Sequence, residues 1–342
     1  MPRERVFWMV FASLILIGLA ASFFGDRPRT VRLALSPDAP PPQPQAVAAR
    51  RWEEVGLERI AAIPAGDRLP LKNPTLLRIG RKGSLYVLDS GDSQVERYSP
   101  EGKPLSIYGA ADLGYPTDVA VGDNGEVWVV DPDRKRITVF SPAGKVARRI
   151  ELEKVPYRLA LAGWTGFVVT LHRGGKELFQ SYVGEGKPAG RFGAFFPEDL
   201  QSSLTADGWI VPAGPSTFIY PFRHAGLLAS YTIHGRLRFF RQTIRPVSMP
   251  VVHVDAAGGQ TIDREAPLAS LSGSVAGGDL FLLSDARPER VLDVYDAATG
   301  TYRSSFHLPE RDARCVVVTE DRLFSASRRG VTIWRRHSSY FK

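Results

Sequence analysis

The feature that most limits what this chain can become is a repeat. "LYVLDSGDSQVERYSPEGK", from Leu85, and "VWVVDPDRKRITVFSPAGK", from Val127, share one grammar at an offset of 42 residues. Upstream, Asn73-Pro74-Thr75 falls on Tyr115-Pro116-Thr117, and Gly80 and Gly83 fall on Gly122 and Gly125. Val87 and Asp89 match Val129 and Asp131; Ser99-Pro100 and Gly102-Lys103 match Ser141-Pro142 and Gly144-Lys145. A period near 40 residues marks a solenoid or propeller unit. Apolar strand cores recur, with fading similarity, at Leu85, Val127, Phe167, Trp209, Leu280 and Leu323, and a second strand follows each, at Val95, Ile137, Leu178, Phe218, Val291 and Val331. Turns of Gly, Pro and Asp separate them, and no helical apolar stripe follows residue 52. Four short strands per unit, repeated radially, predict an all-β, six-bladed β-propeller. The long step from Trp209 to Leu280 reads as an insertion over residues 235–267 rather than a seventh blade. Residues 57–63, "LERIAAI", precede the first unit without a blade of their own, so they are expected to complete the last one and close the ring.

"VVDPDRKRITVFSPAG" resembles the NHL repeat: Asp131 ends a strand, a polar turn leads to Arg136 and Ile137, and Phe140 and Gly144 follow. The first unit matches with Asp89, Val95, Tyr98 and Gly102, but has Gln94 in place of the arginine. The resemblance covers residues 73–151. It implies a propeller and two kinds of activity, since NHL-type propellers include binding and scaffold proteins as well as relatives with lactonase or lyase activity.

The N-terminus speaks to location. Residues 6–24, "VFWMVFASLILIGLAASFF", are 19 residues without a charge, close to the length that spans a bilayer core. They read as a signal anchor within residues 1–25. "GLAAS" also offers a cleavage site, which keeps a cleaved signal peptide as the alternative. Proline-rich residues 26–51 read as a linker that holds the domain, residues 52–342, off the membrane on its periplasmic or extracellular side. The net charge of +8 divides evenly: seven arginines against three acids give +4 in residues 1–51, which leaves +4 over the rest. So dilute a charge does not suggest nucleic acid. The single cysteine, Cys315, excludes an internal disulfide and sits in an apolar strand.

Candidate chemistry is sparse. Asp89 and Asp131 repeat with the fold, which marks them as turn-holding rather than catalytic. Equivalent starts of the channel-lining strands bring Asp118, Arg158, Gln201 and Arg314 toward one mouth, where a ligand site is expected. The competing reading pairs Asp118 with Arg158 or Arg314 to neutralise the channel. No histidine pair has metal-ligand spacing, and no nucleophile–base pair, phosphate loop or cofactor signature is present, so neither metal nor cofactor is expected. The insertion opens on Arg236, Arg238, Phe239, Phe240 and Arg241, which form either a docking surface with exposed aromatics or an outer strand whose phenylalanines pack inward. The expected function is a membrane-tethered binding or interaction module for a protein partner or small anionic ligand. The alternative is a lactonase-like hydrolase or lyase with a metal at the channel mouth.

Overall fold

The structure, a computed structural model, describes residues 28–337 apart from 67–69, 163–165, 173–174, 185, 203 and 287. Among these, strands form six four-stranded antiparallel sheets and one three-stranded sheet. Numbered along the chain, blade 1 runs outward from Pro74–Ile79 through Leu85–Asp89 and Gln94–Tyr98 to Pro104–Tyr108. Blade 2 holds Asp118–Val121, Val127–Asp131, Arg136–Phe140 and Val146–Glu151; blade 3 holds Pro156–Ala162, Gly166–Leu171, Phe179–Val183 and Lys187–Phe192. Blade 4 is Val211–Pro212, Thr217–Pro221, Leu227–Thr232 and Leu237–Gln242, and blade 5 is Ser272–Ala276, Asp279–Ala286, Glu289–Asp296 and Tyr302–Leu308. Blade 6 takes Cys315–Val318, Arg322–Ser327 and Gly330–His337 from the C-terminal end, and Gly56–Pro64 from the N-terminal end as its outer strand. That closing pair runs from Gly56 opposite His337 to Pro64 opposite Gly330. The inner strands touch in order around the axis, and the sixth meets the first.

Local chemistry explains the blades. Their second strands have apolar centres and are buried on both faces, as in Leu85–Asp89, because each blade is sandwiched between two others. The "SPEGK" and "SPAGK" turns need a left-handed residue, and Gly102 and Gly144 supply it at φ +84°. Asp89 takes the amides of Lys72 and Asn73 at 2.6 and 2.8 Å, and Asp131 takes those of Gly114 and Tyr115 at 2.9 and 3.2 Å. Each repeated aspartate thus ties its strand end to the loop that enters its own blade.

Three expectations need adjusting. In blade 4 the pattern slipped by one strand. Trp209 leads into the inner strand, not the second, and the ladder there is short because the strand carries Pro212. The insertion starts later than residue 235, since Leu237–Gln242 is the outer strand of blade 4. It contributes the hairpin Val251–Val254 and Gln260–Ile262. The linker, over its described part, is no free stalk but lies on the propeller. Arg29–Arg32 adds to the hairpin, and Leu33 is buried among Phe195, Phe196, Phe222 and Phe240. Farther along, Gln43 exchanges backbone bonds of 2.8 and 2.9 Å with the edge of blade 4, and Arg51 and Glu53 do so at Ser305 of blade 5. Blades present unpaired outer edges, and the amides between the prolines find them.

The docked linker forms a strap that is locked by Arg50, whose guanidinium makes two bonds of 2.7 and 2.9 Å to Asp293, a carboxylate that is fully buried. Arg50→Ala should destabilise the domain by about 3–5 kcal/mol in urea unfolding, because it strands a buried charge. Asp293→Asn in the same background should recover part of the loss.

Candidate functional site

The six inner strands begin on one face of the disc, and Asp118 stands at the start of its strand in blade 2. It is fully buried. Oδ1 accepts from Arg78 Nη2 of blade 1 at 2.8 Å and from the Val119 amide at 2.8 Å, while Oδ2 accepts from the Leu159 amide of blade 3 at 3.0 Å. Its charge is matched by Arg78, a residue the repeat did not single out, rather than by Arg158 or Arg314.

Arg158 is also buried. It donates to the Thr117 carbonyl of blade 2 at 2.8 Å and to the Gly208 carbonyl before blade 4 at 3.2 Å, lies 3.5 Å from Asp207, and stacks over Tyr157 and Trp209. Burial opposes its charge, but the Asp207 carboxylate and the groups around it outweigh that and keep its pKa above the ordinary value. Gln201 is not at the mouth. It sits in the loop before blade 4, where Oε1 accepts the Phe195 and Phe196 amides at 2.7 and 3.1 Å and Nε2 donates to the Lys176 carbonyl. The slip in blade 4 accounts for this, and Asp207 takes the place by the axis instead. Arg314 is half-buried, 3.5 Å from Asn73 Oδ1, and its charged neighbours are Arg328 and Asp312. Desolvation, and then Arg328, push its pKa below the ordinary value. The structure therefore brings Asp118 and Arg158 together and leaves Gln201 and Arg314 out of that network.

On the outer strand of blade 4, Phe239 and Phe240 are buried at 7% and 3% exposure, so the exposed aromatic anchors of a docking surface are not there. Arg238 and Arg241 donate to the Ala298 and Thr299 carbonyls of blade 5, and Arg236 is exposed.

Open space lies farther out on the same face. A cleft of about 850 Å³ is bounded by Arg223 and His224 of blade 4, residues 245–248, the hairpin's return at residues 262–268, and Asp285 of blade 5. Arg223 pairs with Asp207 at 3.2 Å and Asp285 pairs with Arg290 at 2.5 Å. Asp263 pairs with His253 at 2.8 Å. Arg245 and Arg264 are exposed, and neither has a carboxylate partner among the described residues. His224 Nδ1 is enclosed without a hydrogen-bond partner. Burial, and then the Arg223 charge, hold that imidazole below its ordinary pKa. No group of three or more His, Cys, Asp or Glu side chains among the described residues could hold a metal ion. The cleft gave no repeat signal because the insertion builds half of it.

Known proteins share the propeller fold. Residues 113–140 match the NHL repeat family. None of the curated proteins matches the sequence. Among solved structures, virginiamycin B lyase from Staphylococcus aureus is similar at TM-score 0.54 and 12% identity, covering 83% of this chain and 100% of that one. A Bacteroides fragilis protein described as exported is similar at TM-score 0.56 and 8% identity, covering 86% and 98%. The β-propeller domain of Swd1 from Myceliophteria thermophila gives 0.51 and 11%, covering 82% and 99%. The chain is an NHL-repeat-like β-propeller protein. At such identities the neighbours speak for the propeller fold alone. No helix among the described residues is long and apolar enough to cross a membrane, and the apolar run at residues 6–24 lies outside them.

Two outcomes follow for this NHL-like propeller. Asp118→Ala leaves Arg78 uncompensated and should cost about 3–5 kcal/mol in chemical denaturation, well beyond the effect of an exposed substitution. His224 is neutral in the fold and has a lowered pKa, so the stability it carries is full above about pH 6.5. That stability is lost as pH falls through the folded-state value, because the unfolded chain takes the proton first. Urea unfolding across that range should show wild type losing more stability on acidification than His224→Gln.

Proposed function

We propose that this propeller is a binding module, held on the extracytoplasmic side of a membrane by residues 6–24, that takes an anionic group of a protein partner or small ligand in the cleft between blades 4 and 5. One observation carries the reading: the charges near the axis are spent on each other, whereas Arg245, which donates only to the Asp285 carbonyl, and Arg264 are exposed at the cleft without a carboxylate partner among the described residues. Guanidinium groups bind carboxylate and phosphate through paired, charge-assisted hydrogen bonds. Asp118, the carboxylate that a lactonase-like metal site would need, already accepts three N–H groups.

The second reading, a lyase or hydrolase, draws on His224, a neutral imidazole at the cleft wall. Calorimetric titration of the full-length protein with phosphate and with acetate separates the two. Saturable binding that weakens about tenfold in Arg245→Gln/Arg264→Gln, worth about 1.4 kcal/mol, supports the module. Unchanged affinity in that variant sinks the cleft as the anion site. Turnover of any bound ester or lactone that vanishes in His224→Gln while anion binding persists would favour the enzyme.

A further inference from the structure

We propose that the hairpin-bearing face of the propeller lies against the bilayer that residues 6–24 enter, so that the cleft opens toward the membrane. The inference rests on the membrane-tether reading above and names the surface this face meets: lipid.

Strand register fixes where the tether meets the domain. Arg29–Arg32 pairs with Val251–Val254, and Arg29 stands opposite Val254, next to the hairpin tip. This end of the strap is held in place. Leu33 is buried against the cluster that contains Val252 and Val254, and Arg29 forms an ion pair with Asp199 in the loop that leads into blade 4. Phe24 and Arg29 are five Cα–Cα steps apart, with four residues between them. At the full reach of an extended chain they cover at most about 18 Å. A chain that leaves the bilayer at Phe24 therefore cannot set the hairpin far from the membrane surface.

The opposite face is out of that reach. The third strand of blade 5, Glu289–Asp296, starts beside Asp285 at the cleft and ends at the turn that carries Ala298. Its eight residues span about 26 Å at the rise of a β-strand. The two faces of the disc are thus separated by more than the tether can bridge.

Charge is compatible with the contact without driving it. Arg32 and Arg264 are exposed on this face, and Glu265 lies beside Arg264. Asp255 holds the Ala257 and Gly259 amides, and Asp263 faces His253. Because residues 262–268 wall the cleft, its ligand arrives from the membrane side.

The test uses full-length protein in liposomes that contain a nickel-chelating lipid. A spin label is placed at Ala256→Cys on the hairpin tip or at Ala298→Cys on the far turn; both positions are exposed, and the native Cys315 is buried. Paramagnetic broadening should be several-fold stronger at position 256. An alkaline wash of the same liposomes reports on the anchor separately. Retention with equal or reversed broadening overturns the face assignment alone. Release by the wash overturns the anchor and the face assignment together.

Discussion

A carboxylate buried at the axis sets the relation between the first three blades. Asp118 receives N–H groups from Arg78 in blade 1, from its own strand and from Leu159 in blade 3. Arg158 continues the chain of contacts, reaching back to Thr117 and forward to Gly208 and Asp207. On the far side of the ring the task passes to neutral groups: the hydroxyls of Ser272 and Ser274 accept the Val316 and Val318 amides at 2.9 and 3.1 Å. Ionised groups survive at this depth only when each lone pair and proton is matched. Arginine fits because its donors point in fixed directions and can reach two blades at once.

That arrangement displaces function from the axis to the rim. A charge that holds blades together is not available to a ligand without loosening the ring. The insertion supplies a wall that the repeat could not, and the strap braces it from outside. The strap also covers the outer edges of blades 4 and 5. Blades 2 and 3 protect their edges differently, with Arg148, Arg149, Lys187 and Arg191 on the outer strands, a common defence against strand addition. Blade 1 has neither device, and its outer strand exposes Leu105 and Ile107.

The propeller itself was legible because glycine, proline and aspartate turns are obligatory and recur with the blade period. The closing strand was legible too, as an alternating segment with no blade of its own. Blade 4 was misplaced by one strand because its inner strand is two paired residues long and contains Pro212, so the apolar Trp209-Ile210-Val211 run looked like a second strand. That slip carried Gln201 to the mouth and hid Asp207. Arg78 was missed for a related reason: the repeat alignment sets it against Ala120, and a charge present in one unit alone is discounted when units are compared. In sequence the strap reads as a stalk because proline-rich composition describes conformation but not docking. Its attachment depends on a few isolated groups, Leu33, Gln43 and Arg50, that leave no periodic trace.

Ring closure has a consequence for the order of synthesis. Gly56–Pro64 leaves the ribosome before any other strand of blade 6, and its partner Gly330–His337 follows the strands of every other blade. Until then the early strand has no ladder to join, and the entropy of closing so long a loop must be met by contacts formed elsewhere. Blades 1 to 5 can gather in sequence as they emerge, but the disc stays open at one seam. A chain cut short before Gly330–His337 keeps that seam, with unpaired amides and carbonyls on both sides, in the form that proteases and chaperones recognise. The junction between the early and late strands thereby acts as a check on the ring: only a chain translated through Gly330–His337 presents a surface with the seam closed.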